Sequence, residues 1–71
     1  MELSARNQLP GRVIDISIGA VMAEVTIDIG DGKTIVAAIT RSSSERMGLQ
    51  VGDEVMALIK ATEVLVGKAS G

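Results

Sequence analysis

The chain has 71 residues, a formal net charge of −2 and a hydrophobic share of 46%, but it has no cysteine, histidine or aromatic residue. This length predicts one small domain, residues 1–71, and the missing Cys and His exclude the disulfides and zinc sites that stabilise many small domains. We therefore expect the aliphatic core to continue across a subunit interface in a homo-oligomer. The near-neutral charge, with cations spread along the chain, disfavours a nucleic-acid partner.

The composition also argues against catalysis, a membrane span and export. Without His, Cys or Tyr the usual general bases and nucleophiles are missing, so we do not expect an enzyme. The amino terminus has no apolar signal-peptide core, and no apolar run approaches the roughly 20 residues of a membrane span. We expect a cytoplasmic protein without a membrane partner.

Alternation of apolar and polar residues predicts β-strands in the first half of the chain. Residues 12–18 form the first predicted strand. It places Ile14, Ile16 and Ile18 on one face and Val13, Asp15 and Ser17 on the other. Residues 21–29 form the second, whose inward residues are Val21, Ala23, Val25, Ile27 and Ile29. The Gly30-Asp31-Gly32 sequence then predicts a hairpin, because glycine supplies the positive φ of tight turns.

One short helix interrupts the strands of the second half. Residues 34–40 are apolar on both faces and predict a third strand covered on both sides. Residues 42–47 predict the helix, with Ser42 and Glu45 as a capping box and Gly48 at its end. Strands at 54–60 and 63–66 follow, and the tail 67–71 is expected to fray. The fold class is mainly β: a small five-stranded OB-like barrel with one helix between strands 3 and 4.

Three polar segments stand out in this apolar sequence: SARNQL at residues 4–9, TRSSS at 40–44 and KAT at 60–62. They combine cations, hydroxyls and small residues, which suits a small oxyanion held by charge-assisted hydrogen bonds. Each segment also has an ordinary interpretation. Arg6 can be a surface arginine, Lys60 can snorkel from a strand end, and Thr40 and Ser43 can cap a helix.

The motifs SARNQL, AIT-x-x-S and AxIKAT, in this order and spacing, resemble the molbindins. This family comprises small cytoplasmic molybdate-binding proteins built from one Mop, or TOBE-like, domain. The resemblance covers residues 3–66 and implies storage or homeostasis of molybdate or tungstate. It further implies a homohexamer, arranged as a trimer of dimers, with anions held at the subunit interfaces.

The resemblance also implies a set of oxyanion-binding residues. They are Ser4, Ala5 (through its main chain), Arg6, Thr40, Ser43, Lys60, Ala61 and Thr62. Asn7 and Gln8 belong to the motif with a weaker assignment, and Thr40 and Ser43 are expected to come from a second subunit. No cofactor and no metal ion bound directly by side chains is expected, apart from the molybdate or tungstate ligand itself.

The alternative function is an OB-like regulatory or interaction module that binds a protein or nucleic-acid partner. Small barrels of this type bind single-stranded nucleic acid through aromatic platforms and basic grooves. This chain has no aromatic residue and a net negative charge, which disfavours that interpretation. A further option is a structural or regulatory interaction module whose partner is another protein. The sequence does not separate molybdate from tungstate, since the same donors serve both tetrahedral dianions.

Overall fold

The computed structural model of the chain describes residues 5–69, and these residues form a sheet and one helix. The strands are β1 (Asn7–Ile18), β2 (Met22–Gly30), β3 (Lys33–Thr40) and β4 (Glu54–Ile59). Helix α1 (Arg41–Met47) lies between β3 and β4, and a 3-10 turn covers Ala61–Glu63. The predicted mainly-β fold, with one helix between the third and fourth strands, is confirmed. None of the helices described is long and apolar enough to cross a membrane.

The long strand β1 joins the two halves of the sheet, whose order is β3-β2-β1-β4 with antiparallel neighbours. The first half of β1 pairs with β4, from Asn7↔Ile59 to Arg12↔Glu54. Its second half pairs with β2, from Arg12↔Asp28 to Ile18↔Ala23. Because β1 changes partners midway, the sheet curls, and β3 and β4 are left as its two edges.

The predicted fifth strand at 63–66 is wrong for the described residues, which contain four strands. The chain turns directly after Lys60, because the Glu63 amide donates to the Lys60 carbonyl (2.9 Å) and the Val64 amide donates to the Ala61 carbonyl (3.4 Å). The 3-10 turn therefore occupies Glu63, where the predicted fifth strand was expected to start. Leu65 and Val66 are each 93% exposed and pair with no strand of their own chain. Of the predicted frayed tail, residues 70 and 71 lie outside the described residues.

The predicted faces of β1 are also wrong in one part. Val13 is fully buried and Ile14 is 45% exposed, the reverse of the expectation. The cause is a β-bulge: Val13 pairs with Ile27 but Asp15 pairs with Thr26, so Ile14 is the extra residue that no alternation rule anticipates. After the bulge the half-buried Ile16 is on the core side, as predicted.

β1 begins earlier than predicted and includes Pro10, opposite Met56 of β4. Proline lacks an N–H donor, so it is tolerated only where one side of a strand is unpaired. Pro10 meets this condition, because β2 pairs with β1 only from Arg12 onward. The next residue, Gly11, packs closely against the backbone and side chains of β2. A Cβ at Gly11 would sit 2.5 Å from Cγ2 of Ile27, so only glycine permits this close approach.

The core is small and entirely aliphatic, as the composition predicts. Its buried cluster consists of Val13, Val25, Ile27 and Ala57, with partly buried aliphatic residues packed around it. The predicted hairpin is confirmed: Asp31 and Gly32 both have positive φ, 54° and 72°, and connect β2 to β3. Many large apolar side chains stay exposed outside the core, including Val21, Val36, Met47 and Val51.

Candidate anion-binding site

The start of α1 brings two of the predicted hydroxyls together. Thr40 Oγ1 accepts a hydrogen bond from the Ser43 amide (3.1 Å) and donates one to Ser43 Oγ (2.7 Å). Thr40 is therefore the N-cap of α1, and the predicted capping box at Ser42 and Glu45 is wrong. The physical reason is that the helix starts one residue earlier, at Arg41, which puts Ser42 inside the first turn. The predicted end at Gly48 is confirmed by its left-handed φ of 62°.

Arg46 joins these hydroxyls, although the sequence analysis did not select it. Its Nη2 atom donates to Ser43 Oγ (3.2 Å), one helical turn away. Ser43 Oγ thus accepts hydrogen bonds from Thr40 and Arg46, which leaves its own hydrogen to donate to a further acceptor. The three-residue spacing from Ser43 was the signal that could have identified Arg46. Arg41, in contrast, pairs with Glu45 at 2.9 Å and is partly neutralised.

A second group of predicted residues lies where the chain enters β1 and leaves β4. The β1–β4 pairing ends at Asn7↔Ile59, and Arg6 and Lys60 are the next residues beyond this pair, one on each side. Both residues are exposed. Like charges at opposed positions of a strand pair repel each other. An anion bound between the guanidinium and the ammonium group would turn that repulsion into attraction.

The residues after Lys60 add neutral donors to this pair of cations. Ala61 and Thr62 are the first residues of the 3-10 turn Ala61–Glu63. The first amides of a helical turn have no partner inside the turn, so both can donate to an external acceptor. The Thr62 hydroxyl is exposed beside them. Residues 60–62 therefore offer an ammonium group, a hydroxyl and amide N–H groups within three positions.

Asn7 and Gln8 hydrogen-bond to main-chain carbonyls. The Asn7 side-chain amide donates to the Ile59 carbonyl (3.1 Å), and the Gln8 side-chain amide donates to the Ala5 carbonyl (3.1 Å). These bonds fix the segment that carries Arg6 and leave the two amide nitrogens engaged. Ser4, predicted as part of the same segment, lies outside the described residues.

The two groups of donors are at opposite ends of the sheet. Thr40 pairs with Met22, whose neighbour Ala23 pairs with Ile18 at the end of β1. Arg6 lies directly before the first residue of β1, and Lys60 lies directly after the last residue of β4. The 12 residues of β1 are joined by 11 steps, which gives the strand an extended length of about 36 Å at roughly 3.3 Å per step. Within one chain, Thr40 and Ser43 therefore lie at the opposite end of the sheet from Arg6 and Lys60.

One surface recess of the described residues belongs to neither group. Its volume is about 750 Å³, and it is lined by residues of β1, β2 and β4 around Arg12, Asp28 and Glu54. Arg12 and Glu54 form an ion pair at 3.7 Å with both side chains largely exposed, an arrangement that contributes little to stability. Arg6, Thr40, Lys60, Ala61 and Thr62 are exposed, and none of them lines this recess.

Comparison with known proteins identifies the family. The sequence matches the TOBE domain family over residues 3–66, so the chain belongs to this family. A probable molybdenum-pterin-binding protein of Haemophilus influenzae is 46% identical over 67 residues, which cover 94% of this chain and 97% of that protein. The molbindin resemblance inferred from the three motifs is confirmed at this level.

Solved structures agree with the assignment. A molybdate binding protein from Sporomusa ovata superposes with a TM-score of 0.90 at 46% identity, covering 96% of this chain and 100% of that one. The cytoplasmic molybdate-binding protein ModG, in a form with molybdate bound, gives a TM-score of 0.86 at 42% identity. That match covers 92% of this chain and 46% of ModG.

Proposed function

We propose that this protein binds molybdate or tungstate in the cytoplasm, for storage or homeostasis of the oxyanion. The observation that supports the proposal is the β1–β4 pairing, which ends at Asn7↔Ile59 with the cations Arg6 and Lys60 as the next residues of the chain on each side, the latter followed by the free amides of Ala61 and Thr62. The molybdate-binding relatives support the choice of ligand. Binding, without catalysis, is the whole of the proposed activity.

The chemistry of the donors matches a tetrahedral dianion. The Arg6 guanidinium offers a rigid fork of N–H groups, while the Lys60 ammonium is a compact point charge with three donors. Charge-assisted hydrogen bonds of this kind are about twice as strong as neutral ones. Ser4, the main chain of Ala5, and Ala61 and Thr62 supply the remaining donors from the same chain.

Thr40 and Ser43 complete the site from a second subunit. Since these hydroxyls and the two cations lie at opposite ends of the sheet, a shared site requires two chains whose opposite ends meet. A two-fold dimer joined in this way contains two equivalent sites. The resemblance to molbindins extends the arrangement to a hexamer made of three dimers.

Titration with molybdate, tungstate and sulfate, followed by calorimetry and native mass spectrometry, tests the function. We expect a hexamer that binds the two larger oxyanions in a fixed ratio to subunits. Failure of both anions to bind would refute the proposal and favour the alternative, an interaction module for a protein partner. A folded monomer at micromolar concentration would refute the shared site.

Mixing of two variant subunits tests directly whether each anion site is built from two chains. In a shared site, Lys60→Ala and Ser43→Ala each damage every site of a homo-oligomer. Mixed assembly restores some intact sites, because one chain supplies Lys60 and the other supplies Ser43. We therefore expect molybdate binding to recover in the mixture. If each site belongs to one chain, no intact site forms and binding does not recover.

A further inference from the structure

Arg46, in the last turn of α1, carries a positive charge that no carboxylate of the described residues neutralises. Its neighbour Glu45 pairs with Arg41 at 2.9 Å, and Arg46 takes part in no ion pair of the described residues. The side chain is exposed, and its Nη2 atom donates to Ser43 Oγ, 3.2 Å away. An uncompensated cation therefore lies beside a hydroxyl of the proposed anion site.

The hydrogen bonds of Ser43 set the distance from Arg46 to a bound anion. Ser43 Oγ accepts from Thr40 Oγ1 (2.7 Å) and from Arg46, so its own hydrogen points to a further acceptor. An anion oxygen bound to that hydrogen would lie within about 6 Å of the Arg46 guanidinium, since such a bond is about 2.5–3.0 Å long. Opposite charges at this range attract appreciably. Arg46 also has further N–H donors that Ser43 does not use.

Three cations then surround one ligand in the shared site, a step that rests on the proposed function. Arg46 comes from the chain that supplies Ser43, whereas Arg6 and Lys60 come from the other chain. The three cations repel one another, and each negative charge of the ligand offsets part of that repulsion. A singly charged ligand leaves more positive charge uncompensated than a doubly charged one, and uncompensated charge at an interface is costly.

We propose that Arg46 is the third cation of the shared site and makes the site selective for doubly charged tetrahedral oxyanions over singly charged ones of the same size. Coulomb energy is proportional to the charge of the ligand. Loss of the Arg46 charge should therefore cost a dianion twice as much binding free energy as a monoanion. A side chain that only positioned the Ser43 hydroxyl would affect both ligands equally, because the hydroxyl donates to one oxygen of either.

Tungstate and perrhenate test the role of ligand charge, because they are isoelectronic tetrahedral oxyanions with two negative charges and one. Calorimetric titration measures both affinities in the wild type and in Arg46→Gln. We expect Arg46→Gln to weaken tungstate binding by about tenfold or less and perrhenate binding by the square root of that factor, about threefold for a tenfold loss. Lys33→Gln, at the opposite end of β3 from Thr40, is the matched control. Equal fold losses for the two anions, or no loss for either, would overturn the proposal.

Arg46→Lys separates the charge of the side chain from its hydrogen-bond geometry. Lysine keeps the positive charge but lacks the planar fork of the guanidinium. We expect the ratio of tungstate to perrhenate affinity in Arg46→Lys to stay within about twofold of the wild-type ratio, because that ratio depends on charge. If Arg46→Lys had the same ratio as Arg46→Gln, the effect would come from the hydrogen bond to Ser43 Oγ, and the proposal would be wrong.

The salt dependence of tungstate affinity covers the case in which perrhenate binds too weakly to be measured. Salt screens the attraction between the ligand and each cation of the site, so removal of one cation makes the affinity less sensitive to salt. We expect the affinity of Arg46→Gln to fall less steeply with added salt than the affinity of the wild type, Arg46→Lys or Lys33→Gln. The same salt dependence in all four proteins would overturn the proposal.

These outcomes distinguish failure of the inference from failure of the proposed function. If the wild type binds neither molybdate nor tungstate, the proposed function is refuted, and the role of Arg46 is refuted with it. If both dianions bind but Arg46→Gln weakens tungstate and perrhenate equally, the function stands and the role of Arg46 alone is refuted. Thermal unfolding without ligand verifies that Arg46→Gln is folded, as we expect for an exposed side chain.

Discussion

The side-chain amide of Asn7 donates a 3.1 Å hydrogen bond to the main-chain carbonyl of Ile59, which joins residues 52 positions apart in the sequence. This bond ties the start of β1 to the end of β4. Arg6 and Lys60 are the next residues outward on each strand. The relative position of the two cations therefore depends on a polar residue that carries no charge itself.

Asn7→Ala is expected to weaken molybdate binding because it loosens the segment that carries Arg6. Loss of the hydrogen bond costs about 0.5–1.5 kcal/mol of stability, and a comparable loss in binding corresponds to roughly two- to tenfold lower affinity. Calorimetric titration measures the affinity. Gln50→Ala is the control, since Gln50 is exposed and lies in the turn before β4, away from this segment. Equal effects of the two substitutions would contradict a special role for the Asn7–Ile59 bond.

Lys60→Ala should lower molybdate affinity by about ten- to a hundredfold, because a charge-assisted hydrogen bond is worth roughly 1.5–3 kcal/mol. The matched control is Lys33→Ala, an exposed lysine at the start of β3. The loss of binding free energy in the Arg6→Ala, Lys60→Ala double variant should be smaller than the sum of the two single losses if both cations contact the same anion. Affinity that is unchanged in Lys60→Ala but reduced in Lys33→Ala would remove Lys60 from the site.

Thr40→Ala and Ser43→Ala should separate helix capping from anion binding. Thr40→Ala removes the N-cap of α1 and should cost about 1–2 kcal/mol of stability as well as affinity. Ser43→Ala keeps the main-chain bond to Thr40 and should reduce affinity with a much smaller change in the unliganded melting temperature. Thermal unfolding with and without molybdate measures both quantities. If Ser43→Ala lowered the melting temperature but left molybdate affinity unchanged, Ser43 would stabilise the helix and would not bind the anion.

Arg46→Gln should reduce molybdate affinity, because it removes a cation and its hydrogen bond to Ser43 Oγ. The loss is expected to be about tenfold or less, since Arg46 is exposed and its charge is screened by water. Arg41→Gln is the control on the same helix, where the side chain pairs with Glu45. Titration at low and high salt measures both variants. A larger loss of affinity in Arg41→Gln would reverse the two assignments.

Gly11→Ala should destabilise the fold, because the added Cβ would sit 2.5 Å from Ile27 Cγ2 and 2.6 Å from the Asp28 carbonyl oxygen. Overpacking of this kind costs typically about 1–3 kcal/mol. Gly67→Ala, where the added carbon meets nothing within 4 Å, is the control. Urea unfolding at equal protein concentration compares the two. Equal midpoints would show that β1 and β2 can separate at Gly11 without cost.

Local interactions allowed much of the fold to be predicted from the sequence. Alternation located β2, β3 and β4 to within one residue at each end, because side chains on opposite faces of a strand meet different environments. The Asp31-Gly32 turn and the Gly48 helix end were also predictable, since few residues adopt positive φ without strain. The three polar motifs identified the family for the same reason: they are contiguous in the chain.

Only the tertiary structure decided the features that depend on distant neighbours. The bulge at Ile14 arises from pairing between β1 and β2, and Pro10 is tolerated inside β1 because one side of that segment is unpaired. Thr40 replaced Ser42 as the cap because β3 pairs with β2 as far as Thr40 and the helix starts directly after it. The sequence alone determined which residues are proposed to bind an oxyanion. Their distribution over the two ends of the sheet was decided by strand register.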